Sequence, residues 1–152
     1  MTASDQPLDP AQRALAVRLP NWVGDVCMAL PALAALRSAG RELHCFGKGW
    51  AIDLLSGMGD RVEKLPSGIR AGARAVAASG CGSGILFTNS LGSALVMRLG
   101  GVRATGYRGE CRSLLLGTAL RRARGAHEVE TFWRLALAHL GIEGRSPPRD
   151  LG

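Results

Sequence analysis

The sequence predicts an α/β fold with a Rossmann-like, mainly parallel sheet and flanking helices. Short apolar runs of strand length alternate along the chain with longer segments whose apolar residues recur every three or four positions. Such alternation is typical of parallel strands joined by helical crossovers. The 152 residues are 47% hydrophobic and 20% charged, which is the composition of one soluble domain with a single substantial core.

The first predicted strand covers residues 14–19 and stops at Pro20, because proline cannot pair within a sheet. A helix is predicted from Asp25 to Ser38, although Pro31 is awkward there if it lies beyond the first turn. The remaining elements continue the alternation, and no element is assigned to residues 114–124. They are strands at 42–46, 62–65, 84–88 and 103–107, and helices at 50–58, 69–78, 90–99 and 128–140.

The two ends of the chain differ in composition from its centre. Residues 1–13 carry acidic and proline residues and are predicted to be a flexible tail, whereas residues 14–143 form the Rossmann-like domain. Residues 144–152 contain two adjacent prolines and follow the glycines that end the last helix. They are predicted to be a linker to a further domain.

Composition excludes several classes of protein. No apolar run approaches the roughly 20 residues that span a bilayer. The amino terminus lacks the basic and apolar regions of a secretory signal, so a cytoplasmic location is predicted. The four cysteines are widely spaced and form no Cys-x-x-Cys pair, and the three histidines are isolated from such ligands. We therefore expect reduced thiols and no metal site.

Positive charge is concentrated in residues 66–125, which hold nine arginines and a single acid, Glu110. Such a segment attracts phosphate or carboxylate groups of nucleic acid, an anionic membrane or an acidic sugar. A merely solvated basic face is equally compatible with it. Aromatic residues do not interleave with the arginines as they do on many nucleic-acid-binding surfaces, so a nucleic-acid partner is not predicted.

The loop from Pro20 to Asp25 joins the first strand to the first helix, where ligands collect at the carboxyl edge of an open parallel sheet. Gly24 permits close approach of the backbone to a ligand. Asp25 either caps the helix or faces a substrate as a general base, and its residue type alone favours the cap. The glycine-rich stretches 47–49 and 80–84 lack the spacing of a nucleotide-binding loop, so no cofactor is predicted.

Two ordered sequence blocks carry a resemblance to a known family. The first is Arg-Leu-Pro-Asn-Trp-Val-Gly-Asp at 18–25, followed by Met-Ala-Leu-Pro-Ala-Leu at 28–33. The second comprises Thr-Asn-Ser at 88–90, Ser-Ala-Leu at 93–95, Gly-Gly-Val at 100–102 and Gly-Tyr-Arg-Gly-Glu at 106–110, with Arg112. Together they resemble the lipopolysaccharide heptosyltransferases, glycosyltransferases of family 9, over nearly all of residues 14–142.

The resemblance implies the amino-terminal half of a GT-B enzyme, which has two Rossmann-like domains. In this family the first domain holds the acceptor, lipid A carrying 3-deoxy-D-manno-octulosonic acid (Kdo), and the second holds ADP-heptose as donor substrate. Asp25 has the position of the base that deprotonates the acceptor hydroxyl during inverting transfer. The implied partners are the acceptor, a carboxyl-terminal donor domain and, peripherally, the cytoplasmic face of the inner membrane. The isolated chain is expected to be inactive.

The resemblance also implies a set of acceptor-binding residues. Arg108 and Arg112 match the second block, and guanidinium groups suit carboxylates and phosphates. Glu110 either orients one of these arginines or contacts sugar, and Asn89 and Ser90 either bind acceptor hydroxyls or cap the next helix. The complete predicted set is Asn21, Trp22, Gly24, Asn89, Ser90, Arg103, Arg108, Glu110 and Arg112, with Asp25 as the catalytic base.

Two departures from the family pattern concern acceptor binding. Gly92 stands where relatives often have a basic residue. The arginine that relatives have near the Gly-Tyr pair is displaced here to Arg103, and Ala104 lies nearer to its usual place. Two other functions stay open, the first because the acceptor motifs stand without the donor machinery. One is a non-catalytic module, or remnant of a truncated gene, that binds anionic glycolipid; the other, suggested by charge alone, is nucleic-acid binding.

Overall fold

A computed structural model of the chain describes residues 8–142. The strands are β1 (Ala14–Arg18), β2 (Glu42–Gly47), β3 (Arg61–Lys64), β4 (Ser83–Leu86), β5 (Arg103–Tyr107) and β6 (Thr118–Leu120). The helices are α1 (Pro10–Arg13), α2 (Val23–Ser38), α3 (Trp50–Leu54), α4 (Ile69–Ala78), α5 (Leu91–Leu99) and α6 (Glu128–Leu140). A 3₁₀ segment, Glu110–Leu115, lies between β5 and β6.

The six strands form one parallel sheet in the order β3-β2-β1-β4-β5-β6. This is the doubly wound order of a Rossmann fold, so the predicted fold class is confirmed. The chain builds outward from β1 to β3, then returns to the other side of β1 to begin β4. The switch between these two halves lies between β1 and β4, whose registers pair Leu15 with Ser83 and Arg18 with Leu86.

Helices cover both faces of the sheet because the central strands are buried on both sides. On one face, Leu15 and Val17 of β1 pack with α2 and α6 in an apolar core that includes Leu33 and Leu135. On the other face, Ala16 of β1 packs with residues of α4 and α5 in a second core. The alternation along β1 thus divides the apolar interior into two layers, as expected for a strand covered by helices on each side.

Gly84 lies at the most crowded point of this arrangement, in the middle of β4. A Cβ atom placed on it would lie 2.6 Å from the carbonyl oxygen of Ala16 and 2.7 Å from Cγ1 of Val102. Only a residue without a side chain permits this approach between the strands and α5. The sequence predicts a strand that starts at Gly84, whereas the structure places this glycine inside the strand. The crowding explains why a glycine occupies that position.

The first long helix differs from its predicted start. Helix α2 begins at Val23, two residues before Asp25, and its N-cap is Trp22, whose backbone is extended and whose side chain makes no capping hydrogen bond. The prediction is wrong because Asp is a common N-cap and Trp is not. Pro31 lies well inside the helix, where it removes one backbone hydrogen bond while its ring is buried.

Two elements within residues 103–124 are not predicted by the sequence. The 3₁₀ segment follows β5, and the three-residue strand β6 pairs with β5 at the edge of the sheet. Both are too short to give a periodic pattern in sequence. The predicted linker at 144–152 lies outside the described residues, and the helical turn α1 occupies the end of the predicted tail. None of the helices within residues 8–142 is long and apolar enough to cross a membrane.

Candidate functional site

A cleft of about 350 Å³ opens at the carboxyl edge of the sheet, beside the switch between β1 and β4. This is the position at which open α/β sheets bind ligands, because the loops after two neighbouring strands diverge there. The lining combines the loops after β1 and β4 with the first turn of α6. The lining residues are Pro20, Asn21, Trp22, Asp25, Phe87, Thr88, Asn89, Ser90, Tyr107, Arg122, Glu128, Thr131 and Phe132.

Arg18, the last residue of β1, holds the loop that forms one wall of the cleft. Its Nη1 donates to the carbonyl oxygens of Leu19 at 2.7 Å and Phe46 at 3.4 Å, and its Nη2 donates to Asn21 Oδ1 at 3.0 Å. Burial lowers the pKa of Arg18, but its guanidinium stays charged at neutral pH because its usual pKa is so high. The arginine therefore ties the loop to β1 and β2, with Trp22 exposed at the rim.

Asp25 lies in the first turn of α2, and its side chain is half-buried in the cleft wall. No hydrogen bond or ion pair engages its carboxylate among the described residues, so both oxygens are available to a ligand. Trp22 is the N-cap of α2, so Asp25 does not cap this helix. Of the two interpretations of Asp25, that of a general base remains.

The loop after β4 forms the floor of the cleft. Ser90 is the N-cap of α5, and its Oγ accepts a hydrogen bond from the backbone N–H of Ser93 at 3.1 Å. Ser93 Oγ in turn accepts from the hydroxyls of Thr88 and Ser90 and donates to the Ser90 carbonyl oxygen. Asn89 stands beside this network with its side chain exposed to the cleft. The capping interpretation therefore holds for Ser90, while Asn89 is free to meet a ligand hydroxyl.

Another wall of the cleft comes from α6 and the connection that precedes it. Tyr107, at the end of β5, donates its buried hydroxyl to the carbonyl oxygen of Thr131, which fixes the first turns of α6 against the sheet. Burial raises the pKa of Tyr107 to about 12, so this donor stays protonated at neutral pH. Arg122 pairs with Glu128, with 2.5 Å between Nη2 and Oε1.

The predicted site residues thus divide into two groups. Asn21, Trp22, Asp25, Asn89 and Ser90 line one cleft, as the motif positions suggested. The other predicted residues do not line it. They are Gly24 beside Asp25 in α2, Arg103 at the opposite end of β5, Arg108 and Arg112 beyond that strand, and Glu110, whose side chain lies outside the described part of the structure.

Arg112 occupies an unusual position for a predicted ligand-binding residue. Its side chain packs against Gly106 of β5, the residue is 2% exposed, and none of its guanidinium nitrogens has a hydrogen-bond partner among the described residues. Burial lowers its pKa from the usual value. The guanidinium therefore has unpaired N–H donors that could bind an anion, but it is buried in this conformation.

Sequence reasoning assigned no role in the site to several residues of the cleft, among them Tyr107, Arg122, Glu128 and Thr131. Tyr107 belongs to a recognised block, but only its position in the motif was used. The other three approach the cleft because α6 packs against α2, which is a tertiary contact with no local signal. The acid at the start of a helix, Glu128, was the one available indication.

Metal-binding side chains are not assembled at the cleft. Within residues 8–142, no group of three or more His, Cys, Asp or Glu side chains has the arrangement to hold a metal ion. The four cysteines form no disulfide. The chemistry available in the cleft is therefore that of hydrogen bonds, one unpaired carboxylate and one arginine–glutamate pair.

Comparisons with known proteins bear on what such a cleft does. No family model matches the sequence, and a search of curated proteins finds no significant match. The fold, however, is similar to solved structures. ADP-heptose lps heptosyltransferase II of E. coli is 25% identical with a TM-score of 0.72, over 81% of this chain and 40% of that one. E. coli heptosyltransferase WaaC, solved with ADP, is 25% identical with a TM-score of 0.70, over 91% of this chain and 50% of that one.

The chain is a glycosyltransferase-like domain. The resemblance to lipopolysaccharide heptosyltransferases, which rested on the two sequence blocks, is confirmed by these structures. A family 9 glycosyl transferase from Veillonella parvula, 16% identical with a TM-score of 0.72 over 95% of this chain and 45% of that one, shares the fold. The glycosyltransferase-like domain spans about half the length of the solved chains it matches, or less.

Proposed function

We propose that this chain is the acceptor-binding, amino-terminal domain of an inverting heptosyltransferase. It would act with a carboxyl-terminal domain that binds ADP-heptose, and it would transfer heptose to the Kdo-lipid A inner core of lipopolysaccharide. The observation that carries the proposal is the position of Asp25. Its unpaired carboxylate faces a cleft that is lined with hydrogen-bonding side chains.

The proposed chemistry uses Asp25 as a general base. The carboxylate accepts the proton of an acceptor hydroxyl while that oxygen attacks the anomeric carbon of the heptose. The bond from the anomeric carbon to the ADP oxygen breaks as the new glycosidic bond forms, and ADP leaves from the opposite face, so the configuration inverts. Asn21 and Asn89 flank the hydroxyl in this proposal and orient it through hydrogen bonds.

Contact with the inner membrane belongs to the same proposal, because the acceptor is a lipid. Leu91 and Leu99 lie on the outer side of α5, and Leu114 on the neighbouring 3₁₀ segment is 89% exposed. Arg98 lies on the same side of α5, and residues 66–125 carry nine arginines with a single acid. Exposed leucines beside arginines favour an anionic membrane surface. Because Leu91 directly follows Ser90, this side of the domain adjoins the cleft.

The test is reconstitution with a donor-binding half. The chain is joined to the carboxyl-terminal half of a heptosyltransferase of the same family, and transfer from ADP-heptose to Kdo-lipid A is measured. We expect Asp25→Asn and Asp25→Ala to reduce kcat by at least about a hundredfold, the usual size of a general-base contribution. Asp53→Asn, an exposed acid on α3 outside the cleft, is the matched control and should retain full activity.

Equal transfer by the Asp25 variants would overturn the catalytic assignment. Saturable binding of Kdo-lipid A with no transfer in any reconstituted pair would instead support the alternative of a non-catalytic module that binds anionic glycolipid. Binding of RNA or DNA that competes with the glycolipid would support the third function. The last two outcomes therefore each identify one of the two alternative functions.

A further inference from the structure

The ion pair formed by Arg122 and Glu128 contributes little to the stability of the fold. It joins the two ends of the connection between β6 and α6, but the side chains are 46% and 37% exposed. Ion pairs in such contact with water contribute only about 0–1 kcal/mol to stability. Both residues nevertheless line the cleft that contains Asp25. The pair is therefore better explained by what the cleft binds than by the stability of the fold.

The first turn of α6 lies beside this pair and is suited to a negative group. The first N–H groups of a helix have no partner within it, and together they carry a partial positive charge. The N-cap residue, His127, makes no side-chain capping bond to them. Glu128, in the first turn, is the only acid of the cleft lining besides Asp25. An anion at this place is thus favoured by the helix as well as by Arg122.

Thr131 supplies an independent sign that a polar ligand belongs here. The residue lines the cleft and is 3% exposed, yet its Oγ1 is buried without a hydrogen-bond partner among the described residues. A buried hydroxyl without a partner costs about 1–3 kcal/mol. A ligand that offers a hydrogen bond at this wall would remove that cost.

We propose that Arg122, the first turn of α6 and Thr131 form a subsite for the carboxylate of an acidic sugar, and that Glu128 occupies Arg122 until this carboxylate displaces it. The inference rests on the proposed function, since it places the acidic part of the acceptor in the same cleft as the base Asp25. A carboxylate, and not a phosphate, is assigned because the group that Arg122 already binds is a carboxylate. Glu128 thus acts as an internal competitor of the ligand.

The signature of competition is that two substitutions act in opposite directions. Loss of Arg122 removes a charge-assisted hydrogen bond, so Arg122→Ala should weaken binding about tenfold or more. Loss of the Glu128 charge frees Arg122 and removes a repelling carboxylate, so Glu128→Gln should tighten binding several-fold. If the pair only tethered the connection to α6, both substitutions would weaken binding, because each would break the same tether.

The experiment is an NMR titration of the 152-residue chain with Kdo, with its neutral carboxamide, and with inorganic phosphate. Kdo is expected to bind more tightly than the other two probes, and Arg122→Ala should abolish that preference. Arg121→Ala and Arg124→Ala are matched controls, since both arginines are exposed in the same connection but do not line the cleft. They should change the Kd less than about twofold, as expected when a screened surface charge is lost. Arg122→Gln replaces Arg122→Ala if the latter does not fold.

Several outcomes would overturn the inference: no binding of Kdo to the unmodified chain, tighter binding of phosphate, or weakening by both Arg122→Ala and Glu128→Gln. These outcomes are separable from failure of the proposed function. Transfer that depends on Asp25 but not on Arg122 would refute the subsite alone. Binding of Kdo that depends on Arg122, with no transfer in any reconstituted pair, would refute the proposed function alone.

Discussion

Arg18 and Asn21 are joined by a hydrogen bond of 3.0 Å from Nη2 to Oδ1, which couples the end of β1 to the loop that carries the cleft wall. The same guanidinium donates to backbone carbonyl oxygens of Leu19 and Phe46. One side chain therefore fixes the loop with respect to two strands of the sheet. The planar, forked shape of the guanidinium makes this possible, since a lysine has a single charged nitrogen.

Arg18→Lys should consequently destabilise the domain although it preserves the charge. We expect a loss of about 1–3 kcal/mol in the free energy of unfolding, because the part-buried carbonyl oxygen of Leu19 and the Oδ1 of Asn21 lose their guanidinium donors. Urea denaturation followed by circular dichroism measures it. Arg74→Lys, on the exposed side of α4, is the control and should shift the unfolding free energy by less than about 0.5 kcal/mol. Equal effects of the two substitutions would contradict the role of Arg18.

Tyr107→Phe tests the attachment of α6 to the sheet. The substitution removes the hydroxyl that donates to the Thr131 carbonyl oxygen and leaves that acceptor without this donor. A loss of about 1–2 kcal/mol in unfolding free energy is expected. If α6 also moves, amide resonances of the cleft should shift well beyond the site of substitution. An unchanged unfolding midpoint would show that the bond does not hold the helix.

His139 should make the domain sensitive to acid. Burial, followed by the nearby charge of Arg41, lowers the pKa of His139 to about 4, and its Nδ1 lies 3.1 Å from Thr105 Oγ1. In the unfolded chain the usual pKa is about 6.5. The native state therefore binds this proton less readily, so the stabilisation is complete above about pH 6.5 and is lost as the pH falls towards 4.

Unfolding free energies measured from neutral pH down to the folded-state pKa of His139, about 4, test this dependence. His139→Gln should flatten the decline with falling pH, whereas His127→Gln, at an exposed histidine, should leave it as steep as in the unmodified chain. A decline that persists in full after His139→Gln would assign the acid sensitivity to other groups.

Two glycines should respond to alanine with opposite signs. Gly84→Ala forces a Cβ atom against the backbone of β1, which should cost about 1–3 kcal/mol of stability. Gly92 lies inside α5, and a Cβ atom added there would meet no atom within 4 Å. Gly92→Ala should therefore stabilise the domain by about 0.5–1 kcal/mol through helix propensity. Thermal unfolding of both variants provides the comparison, and a shift of the same sign in both would refute it.

The outer side of α5 should mediate binding to anionic vesicles. Leu99→Glu and Leu114→Glu each remove an exposed apolar contact and add a repelled charge, so we expect at least about a tenfold loss of binding for each. Ile52→Glu is the control, because Ile52 is also an exposed apolar residue but lies on α3, which covers the other face of the sheet. Co-sedimentation with phosphatidylglycerol vesicles measures the effect. Equal loss in the control would indicate non-specific repulsion.

The fold was largely predictable because its strands and helices have strong local patterns. The bounds of α4, β5 and α6 agree with the predicted ones. The start of α2 was wrong because the true N-cap, Trp22, is not a capping residue type, and β6 was missed because three residues at a sheet edge are held by pairing with β5 and not by their own propensity.

The candidate site was predictable only where it follows the strand ends. Asn21, Asp25 and Asn89 could be placed together because parallel strands bring their carboxyl-terminal loops to one edge. Arg122 and Thr131 could not, since their approach depends on how α6 packs across α2. The burial of Arg112 likewise follows from tertiary packing against Gly106, which motif matching does not represent.

The central position of β1 also has a consequence for how the chain folds. This strand comes first among the six, yet one of its two neighbours is β4, far later in the sequence, where Leu15 meets Ser83. Such distant pairing makes folding slow, because loop-closure entropy must be overcome before the contact forms. During synthesis, one edge of the apolar strand β1 therefore stays unpaired until β4 leaves the ribosome. An unpaired strand edge can pair with another chain, so this interval is when the domain is most exposed to aggregation.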